Sequence, residues 1–393
     1  MMTRAFRVAT LFLALVLLLS ACVPATPPAA PVAGEPEPAA GPGEPEAQPA
    51  SLEDYFNAPR QETLLLDKPG RLEGADNWNP FVPGNVTGWG LAQVGQDPLV
   101  LLSYGTGDFQ DWIAESFTPN EDASAWTLVI REGVTWNDGT PFTIDDVIFS
   151  VQLQMDVERL GAHFTYQEWV ESVEKIDERT MRFNLKKPNV RFVLDRFSGR
   201  TGGADAIVPK HIWENVEDPL TFKNFDLEQG LPLGTGPYIL YRVTTNETVF
   251  VRNDDWWAYK TGFKALPAPK KIVFSFVGPE EIRVATAIDD GFDALEDITL
   301  SSFEALLGGN PNWIAFEPEL PYVWPDPCAR TLSLNNSVEP WNDKDMRWVL
   351  NYVMDRPQII DVAYEGTSVM GPYLWPAYPA MQPYTDLIPE DTL

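Results

Sequence analysis

The sequence predicts a mixed protein of the α/β or α+β class, because strand and helix patterns alternate along the chain from Ser51 onward. Trp126, Leu128 and Ile130 lie at every second position, which is the period of a strand with one apolar face. Residues 345–355 instead repeat apolar side chains at i, i+3, i+4 and i+7, the period of an amphipathic helix. The 393 residues, 44% of them hydrophobic, are enough for two or three domains.

Further elements follow the same alternation. A short apolar run at 62–66 predicts an early strand, and 271–276 predicts a late one. Residues 174–176 and 181–185 flank a polar four-residue turn, which is the pattern of a β-hairpin. Residues 145–155 form an apolar stripe at helical spacing, so we expect a helix there. No internal repeat is visible.

The N-terminus has the pattern of a secretory signal, predicted to occupy residues 1–21. Arg4 and Arg7 precede a mostly apolar run at 8–19, which is too short to span a bilayer core of ~30 Å. The run ends in Leu-Ser-Ala-Cys at 19–22, which resembles a bacterial lipobox, so we expect cleavage before Cys22 and a lipid on its thiol. The alternative is an ordinary signal peptide with an incidental cysteine.

A tether is predicted at residues 22–50. After Cys22 this segment consists almost entirely of Pro, Ala, Gly and Glu, and it cannot bury enough apolar surface to fold. Its nine prolines favour extended polyproline conformation, at ~3.1 Å per residue. The tether would hold a folded body away from a membrane surface.

Charge, cysteine count and histidine count argue against a nucleic-acid partner, a disulfide and a metal site. Twenty-eight Lys and Arg against 57 Asp and Glu give a formal net charge of −29, so we expect no nucleic-acid partner. If Cys22 carries a lipid, Cys328 has no disulfide partner and is expected to be a small buried residue. His163 and His211 are far apart in sequence, so we predict neither a metal site nor a cofactor.

The stretch 134–150, VTWNDGTPFTIDDVIFS, gathers three acids that could suggest a catalytic site. Asp138 lies in an Asn-Asp-Gly turn, where Asp and Asn bond to their own backbone and Gly supplies a positive φ. Thr143 and Asp146 fit a capping box at the start of a helix, and Asp145 also lies at the positive end of the helix dipole. Each acid therefore has a structural role that needs no chemistry.

The longer stretch 126–150 resembles the hallmark of extracytoplasmic solute-binding proteins of family 5, the dipeptide, oligopeptide, nickel and oligosaccharide binders of bacterial ABC importers. The family pattern is a strand ending in Leu-Arg, then Trp-x-Asp-Gly-x-Pro, then a helix opening on Asp-Asp-Val. Further matches follow in order, namely Asp-Trp-Ile-Ala-Glu-Ser at 111–116, Gly-Thr-Gly-Pro-Tyr at 234–238, Asn-Asp-Asp-Trp-Trp at 253–257, Gly-Phe-Asp at 291–293, Pro-Trp-Asn-Asp at 340–343 with Arg347, and Asp-Arg at 355–356.

The resemblance implies an α/β, two-lobed fold like that of periplasmic binding proteins (class II, cluster C type) with an extra domain inserted in the first lobe. Mapped onto this chain, lobe I is 51–91 with 196–278, and the inserted domain is 92–195. Lobe II begins at 279 and runs to 393. Ligand is enclosed between the lobes, and a separate permease with its own ATPase imports it. The implied location is extracytoplasmic, at the cell surface or in the periplasm, with a lipid anchor.

Family members usually continue well beyond the position at which this chain ends. The resemblance therefore implies a C-terminally truncated chain whose second lobe is incomplete. We expect apolar surface to be exposed in that lobe.

The ligand site is expected at the loop that follows the first strand, at 73–85, where the family places ligand contacts. Trp78 is the first candidate there, with Asn77 and Asn79 beside it. Weaker candidates are Trp89, Trp324 and Trp341, because they lie in loop-like segments rich in Pro, Gly and Asn. Trp126 and Trp136 are assigned to packing.

The aromatic excess, with 14 Trp and 12 Tyr, slightly favours an oligosaccharide ligand, because sugar rings stack on aromatic faces. Peptide remains the more frequent assignment in the family. The competing interpretations are a glycosidase-like secreted enzyme, which needs two carboxylates about 5–10 Å apart, and a truncated surface lipoprotein that binds no ligand. Acid pairs occur at 254–255, 280–281 and 289–290, but no nucleophile motif accompanies them. We therefore predict a binding protein and no catalytic residues.

Overall fold

The computed structural model describes residues 51–103, 105–199, 205–322, 331–370 and 382–388. The predictions for the signal segment, the tether, Cys22, Cys328 and Trp324 lie outside the described residues.

Three sheets form the described body. Their strands are β1 Thr63–Asp67, β2 Val100–Leu102, β3 Phe109–Asp111, β4 Ala114–Pro119, β5 Ala125–Ile130, β6 Val170–Lys175, β7 Thr180–Leu185, β8 Ser198–Gly199, β9 Tyr238–Val243, β10 Glu247–Arg252 and β11 Lys271–Ser275. The strand orders are β1-β11-β10-β9, β3-β2-β8 and β4-β5-β7-β6. The described helices are α1 Leu52–Phe56, α2 Ile144–Asp156, α3 His163–Trp169, α4 Phe192–Arg196, α5 Lys210–Trp213, α6 Trp257–Lys260, α7 Glu280–Ile288, α8 Leu300–Gly309, α9 Lys344–Val353, α10 Arg356–Ala363 and α11 Gln382–Thr385.

The first sheet combines a parallel pair with an antiparallel meander. β1 pairs in parallel with β11, and β11, β10 and β9 pair antiparallel. Alternate residues such as Leu66, Phe250 and Phe274 face one hydrophobic cluster. The loop that follows β1 returns to cover this face, because Trp78 and Leu72 are buried in the same cluster.

The four-stranded antiparallel sheet carries the largest hydrophobic cluster. Trp126, Leu128 and Ile130 of β5 are all buried, as their spacing predicts. β6 and β7 pair antiparallel, so the predicted hairpin is confirmed. Helix α2 packs its apolar stripe into the same cluster.

The predicted helices and strands lie within two residues of the observed ones at most boundaries. α2 covers the helix predicted at 145–155. β1 corresponds to the strand predicted at 62–66, and β11 corresponds to the strand predicted at 271–276. The helix expected at 345–355 ends instead at Val353. A second helix, α10, begins at Arg356, and the Asp355 side chain caps its N-terminus by accepting a hydrogen bond from Gln358 N at 2.9 Å. Asp355 therefore separates two helices.

The segment after β11 is hydrogen-bonded to the outer edge of β1. Asp293 N donates to Leu65 O at 2.8 Å, and Asp67 N donates to Ala294 O at 3.1 Å. Between them, Leu65 N donates to the Asp293 carboxylate at 2.7 Å, so a side chain takes the place of a strand carbonyl. This explains the Asp of the Gly-Phe-Asp motif. The predicted beginning of a second lobe at 279 stays a prediction.

Helices α9 and α10 expose apolar side chains. None of their described residues is buried, and Tyr352, Val353 and Val362 are each 70–77% exposed. Within the described ranges, no helix combines the length and the apolar character needed to cross a bilayer.

Candidate functional site

The carboxyl ends of the parallel strands are the first place to look for a ligand site, because open α/β sheets bind ligands there. β1 ends at Asp67 and β11 ends at Ser275, side by side. Beneath this edge, Asp67 forms a buried ion pair with Arg283 of α7, whose Nε lies 2.9 Å from both carboxylate oxygens. Arg283 Nη2 also donates to the Asp67 carboxylate and to Glu296 O. The pair fixes the end of β1 against α7.

Charged side chains surround this edge. Lys68 Nζ lies 3.3 Å from Glu296 Oε1 and 5.5 Å from the ring centre of Phe274. The Arg71 guanidinium lies 5.9 Å from the ring centre of Phe276. Both signs of charge and two aromatic rings therefore meet where β1 and β11 end, and we call residues 67–72, 275–278 and 294–297 the strand-end site.

The loop predicted to bind ligand leaves from the strand-end site. Asn77 is half-buried, and its backbone closes the loop by accepting from Val86 N at 2.8 Å and donating to Gly74 O at 2.8 Å. Trp89 is half-buried and packs against the cluster under the sheet.

Trp78 and Asn79 are fully buried, each with 0% of its surface exposed. The Trp78 indole donates to Ala75 O at 2.9 Å. The Asn79 amide donates to Pro219 O and Phe222 O at 2.8 Å, and its oxygen accepts from Phe81 N at 3.0 Å. In this conformation both side chains hold the loop to the body, so a ligand would reach them only after the loop moves. Their ligand role stays a prediction.

The structure brings four of the predicted residues together in one loop, Asn77, Trp78, Asn79 and Trp89. Trp341 belongs to a different segment, just before α9, where it is half-buried and its carbonyl accepts from Arg347 Nη1 at 2.6 Å. Trp324 lies outside the described residues.

Half of the twelve described tryptophans are core residues. The buried ones are Trp78, Trp126, Trp136, Trp213, Trp256 and Trp257. The packing roles predicted for Trp126 and Trp136 are confirmed. Trp313, which is half-buried, donates to Ala287 O at 3.1 Å and so ties its segment to α7. Packing therefore accounts for much of the aromatic excess, and the excess loses weight as an indication of a sugar ligand.

The three acids of the 134–150 stretch are all engaged structurally. Asp138 accepts from Thr140 N at 2.8 Å and lies 3.0 Å from His211 Nε2. These contacts lower the pKa of Asp138 against the opposing effect of its partial burial, which is the largest single influence. Asp145 forms an exposed ion pair with Lys175 at 2.9 Å.

Asp146 joins two segments. Its Oδ2 accepts from Thr143 N at 2.7 Å, which is the carboxylate half of the predicted capping box. The Thr143 hydroxyl also donates to this carboxylate at 3.1 Å, and the predicted capping box is present. Asp146 Oδ1 accepts from Lys210 N at 2.8 Å, at the start of α5. Asp146 of the 134–150 stretch therefore attaches residues 208–211 to α2.

Asp146→Ala is expected to lower the free energy of unfolding by about 2–4 kcal/mol, because it leaves two backbone N–H groups without their acceptor. The neighbouring Asp145→Ala removes only an exposed ion pair, so the expected loss is about 0–1 kcal/mol. Urea denaturation followed by circular dichroism measures both. Equal losses in the two variants would contradict the assigned roles.

A half-buried acid that the sequence analysis did not single out bonds to several of the motifs. Asp97 Oδ1 accepts from the Trp112 indole at 3.0 Å, and Oδ2 accepts from the indoles of Trp256 and Trp257 at 2.9 and 2.8 Å. Its backbone N donates to the Thr235 hydroxyl at 3.0 Å. We call Asp97 with these three tryptophans the indole cluster. A charged residue within the apolar 94–102 stretch was the only available signal.

The indole cluster lies where the Asp-Trp-Ile-Ala-Glu-Ser, Gly-Thr-Gly-Pro-Tyr and Asn-Asp-Asp-Trp-Trp motifs converge. Gly236 N donates to Gly95 O at 3.0 Å, and Asn137 N donates to Gly234 O at 2.9 Å. The family motifs thus form a structural junction between the 94–97 segment, the 134–150 stretch and β9.

The acid pairs that a glycosidase could use also bond to other residues of the protein. Asp254 accepts from Arg252 Nε at 2.7 Å and from the Tyr55 hydroxyl. Glu280 accepts from Thr299 N at 2.9 Å, and Asp290 Oδ1 accepts from Asn310 Nδ2 at 2.9 Å. Within the residues that the structure describes, no group of three or more His, Cys, Asp or Glu side chains is placed to hold a metal ion.

Comparison with known proteins gives a consistent result. The model of a family described as bacterial extracellular solute-binding proteins, family 5, middle region, matches residues 108–391. A nickel-binding periplasmic protein of Escherichia coli is 28% identical over 281 residues, 69% of this chain and 48% of that protein. A dipeptide-binding protein of the same organism is 25% identical over 354 residues, 84% of this chain and 61% of that protein. The chain thus spans about half the length of the curated relatives it matches.

Solved structures of similar proteins have the same fold. The periplasmic oligopeptide-binding protein of Thermotoga maritima is 26% identical, with a TM-score of 0.65, over 79% of this chain and 55% of that protein. Its mannohexaose-bound form has a TM-score of 0.67 at 25% identity, over 82% of this chain and 57% of that protein. The mixed α/β fold is that of periplasmic binding proteins, as the sequence analysis predicts.

Proposed function

Because the chain belongs to family 5 of the bacterial extracellular solute-binding proteins, we propose that it captures an oligopeptide or an oligosaccharide between two lobes and delivers it to the permease subunits of an ABC importer. The observation that carries this proposal is the family match, which covers residues 108–391. The geometry supports this proposal, because the three acids of the 134–150 stretch are engaged in a turn, a helix cap and an ion pair. Binding and release, without bond making, is the proposed activity.

We place the ligand at the strand-end site and the loop that leaves it. The contacts proposed from the sequence are Asn77, Trp89, Trp324 and Trp341, with Trp78 and Asn79 behind them. Lys68, Arg71 and Glu296 are additional candidates, because they surround the ends of β1 and β11. Charged groups of both signs suit the two charged ends of a peptide, so a peptide is the first ligand class to test.

An oligosaccharide is the second class to test. It is supported by the mannohexaose bound to the similar protein from Thermotoga maritima. The half-buried Trp89 is the one described tryptophan of the candidate loop that keeps exposed surface, and a sugar ring would stack on it.

The proposed arrangement at the membrane uses the N-terminal segment. A lipid on Cys22 would anchor the chain outside the cytoplasm, and residues 22–50 would tether the body near the permease at a high effective concentration. Helix α1 is held to the rest of the body by two hydrogen bonds. Tyr55 of α1 donates to Asp254, and Lys271 Nζ donates to Phe56 O at 2.9 Å.

Isothermal titration calorimetry with a defined panel tests the binding proposal. The panel consists of a tripeptide, a nonapeptide, mannohexaose and the nickel–histidine complex. We expect saturable 1:1 binding of a peptide or of mannohexaose, with the nickel–histidine complex as the non-binding comparison, and no turnover of any peptide or of an aryl glycoside. Trp89→Ala should weaken that binding about tenfold or more, since a hot-spot aromatic contributes about 2 kcal/mol. Trp169→Ala, at the end of α3, is the matched control and should bind like the parent chain. Turnover of any substrate, or heats of dilution alone across the panel, would contradict the proposal.

A further inference from the structure

The indole cluster combines features that do not usually occur together. Asp97 is half-buried and carries a carboxylate that accepts three hydrogen bonds, all from neutral indole N–H groups. Among the described residues, no cation bonds to it. A buried carboxylate normally has a cationic partner.

The charged groups near the cluster have partners other than Asp97. Near Trp112, Arg131 Nε donates to the Trp112 carbonyl at the same turn as Asp111, and Lys264 Nζ lies 4.6 Å from the Trp112 ring centre. On the other side, Asp254 pairs with Arg252, and Asp255 pairs with Lys260 at 2.5 Å. The Gly-Thr-Gly-Pro-Tyr turn brings no charge.

The two carboxylate oxygens are not equivalent. Oδ2 accepts two indole bonds, at 2.9 and 2.8 Å, whereas Oδ1 accepts one, from Trp112 at 3.0 Å. A proton arriving at the carboxylate would take the oxygen with fewer donors, which is Oδ1. A neutral hydroxyl there is a weaker acceptor than a carboxylate oxygen, so the Trp112 N–H bond is the one that loses most strength.

We propose that Asp97 is a proton-sensitive contact, which holds Trp112, Trp256 and Trp257 together as a carboxylate and releases Trp112 when it takes up a proton. Trp112 lies in the β3–β4 connection, whereas Trp256 and Trp257 lie at the start of α6 after β10. Protonation would therefore loosen the attachment of the 111–116 motif to the junction and leave the Oδ2 contacts in place.

The direction and range of the effect follow from burial. Burial raises the pKa of Asp97 from its ordinary value of 3.8 to about 6, and the three indole donors oppose this rise. The folded chain thus binds the proton more tightly than the unfolded chain. Lowering the pH through about 6 protonates Asp97 in the folded state. At this group the folded state gains stability relative to the unfolded state, so the expected change is local and not an unfolding step.

The test uses the full chain labelled with ¹⁵N at the tryptophan indoles, followed by NMR between pH 7.5 and 5. We expect the Trp112 N–H resonance to move upfield with a midpoint near 6, as it loses a charged acceptor. The Trp256 and Trp257 resonances should move less. Trp112→Phe, Trp256→Phe and Trp257→Phe assign the three signals.

Two variants keep the proposal open to refutation. Asp97→Asn should abolish the movement of all three resonances in this range. If that variant does not fold, Trp112→Phe decides, because removing a donor to the charged form should raise the midpoint of the remaining two signals by roughly half a pH unit or more.

Trp126→Phe is the matched control, because the Trp126 indole donates to a carbonyl, Asn189 O at 3.1 Å. It should leave the titration unchanged. Indole signals that stay fixed between pH 7.5 and 5 in the parent chain would overturn the proposal, as would a titration that persists in Asp97→Asn or a midpoint unmoved by Trp112→Phe.

Discussion

Gly234→Ala is expected to destabilise the folded chain strongly. A Cβ at this position would lie 1.9 Å from Gly95 O and 2.9 Å from Gly95 C. Both atoms are backbone, and Gly95 O is already engaged by Gly236 N at 3.0 Å, so neither segment can give way without breaking the junction. We expect a loss above ~3 kcal/mol, at or beyond the upper end of ordinary overpacking costs. That is a large part of a typical stability of about 5–15 kcal/mol.

Urea denaturation and the yield of soluble protein measure this loss. Gly70→Ala is the matched control, because nothing lies within 4 Å of a Cβ built there. Its stability should stay within about 0.5 kcal/mol of the parent chain. If Gly234→Ala folded with the stability of the control, the close approach of residues 95 and 234 would be wrong.

Arg283→Met is expected to lower the free energy of unfolding by about 3–5 kcal/mol, because it leaves the Asp67 carboxylate buried without its cation. Arg283 is 4% exposed and Asp67 1% exposed. The pair ties the end of β1 to α7 and, through Glu296 O, to the segment beside β1. The strand-end site should therefore lose order together with stability.

The double variant Asp67→Asn with Arg283→Met should recover part of that loss, since it removes the uncompensated charge. Arg191→Met is the surface control. Arg191 and Asp195 form an exposed i,i+4 pair at 2.8 Å, worth about 0.3–0.5 kcal/mol. Chemical denaturation of the four proteins decides the matter. A loss from Arg283→Met no larger than that from Arg191→Met would contradict the buried pair.

Local features of the fold could be predicted from the sequence because neighbouring residues determine them. The β5 alternation, the β6–β7 hairpin, the Asn-Asp-Gly turn and the start of α2 all depend on residues within a few positions. The capping role of Asp146 could be predicted for the same reason. Its second bond, to Lys210 N, could not, because 64 residues separate the two.

The candidate site was harder to predict, because burial depends on which distant segments meet. Trp78 and Trp89 stand in one Pro/Gly/Asn-rich loop, yet the first is fully buried and the second keeps exposed surface. The strand-end ion pair joins Asp67 to a residue 216 positions away. Asp97 was overlooked because its three tryptophan partners come from two separate motifs, and only the folded chain brings them to one carboxylate.

Hydrogen exchange by mass spectrometry, on the full chain with and without a bound panel ligand, tests the central claim most directly. The claim is that the family motifs build a junction and that ligand binds at the strand-end site and its loop. Saturating tripeptide or mannohexaose should slow exchange at 68–90 and 294–299 and leave 134–147 and 234–238 unchanged. Protection concentrated at 134–147, or no protection anywhere with either ligand, would contradict the claim.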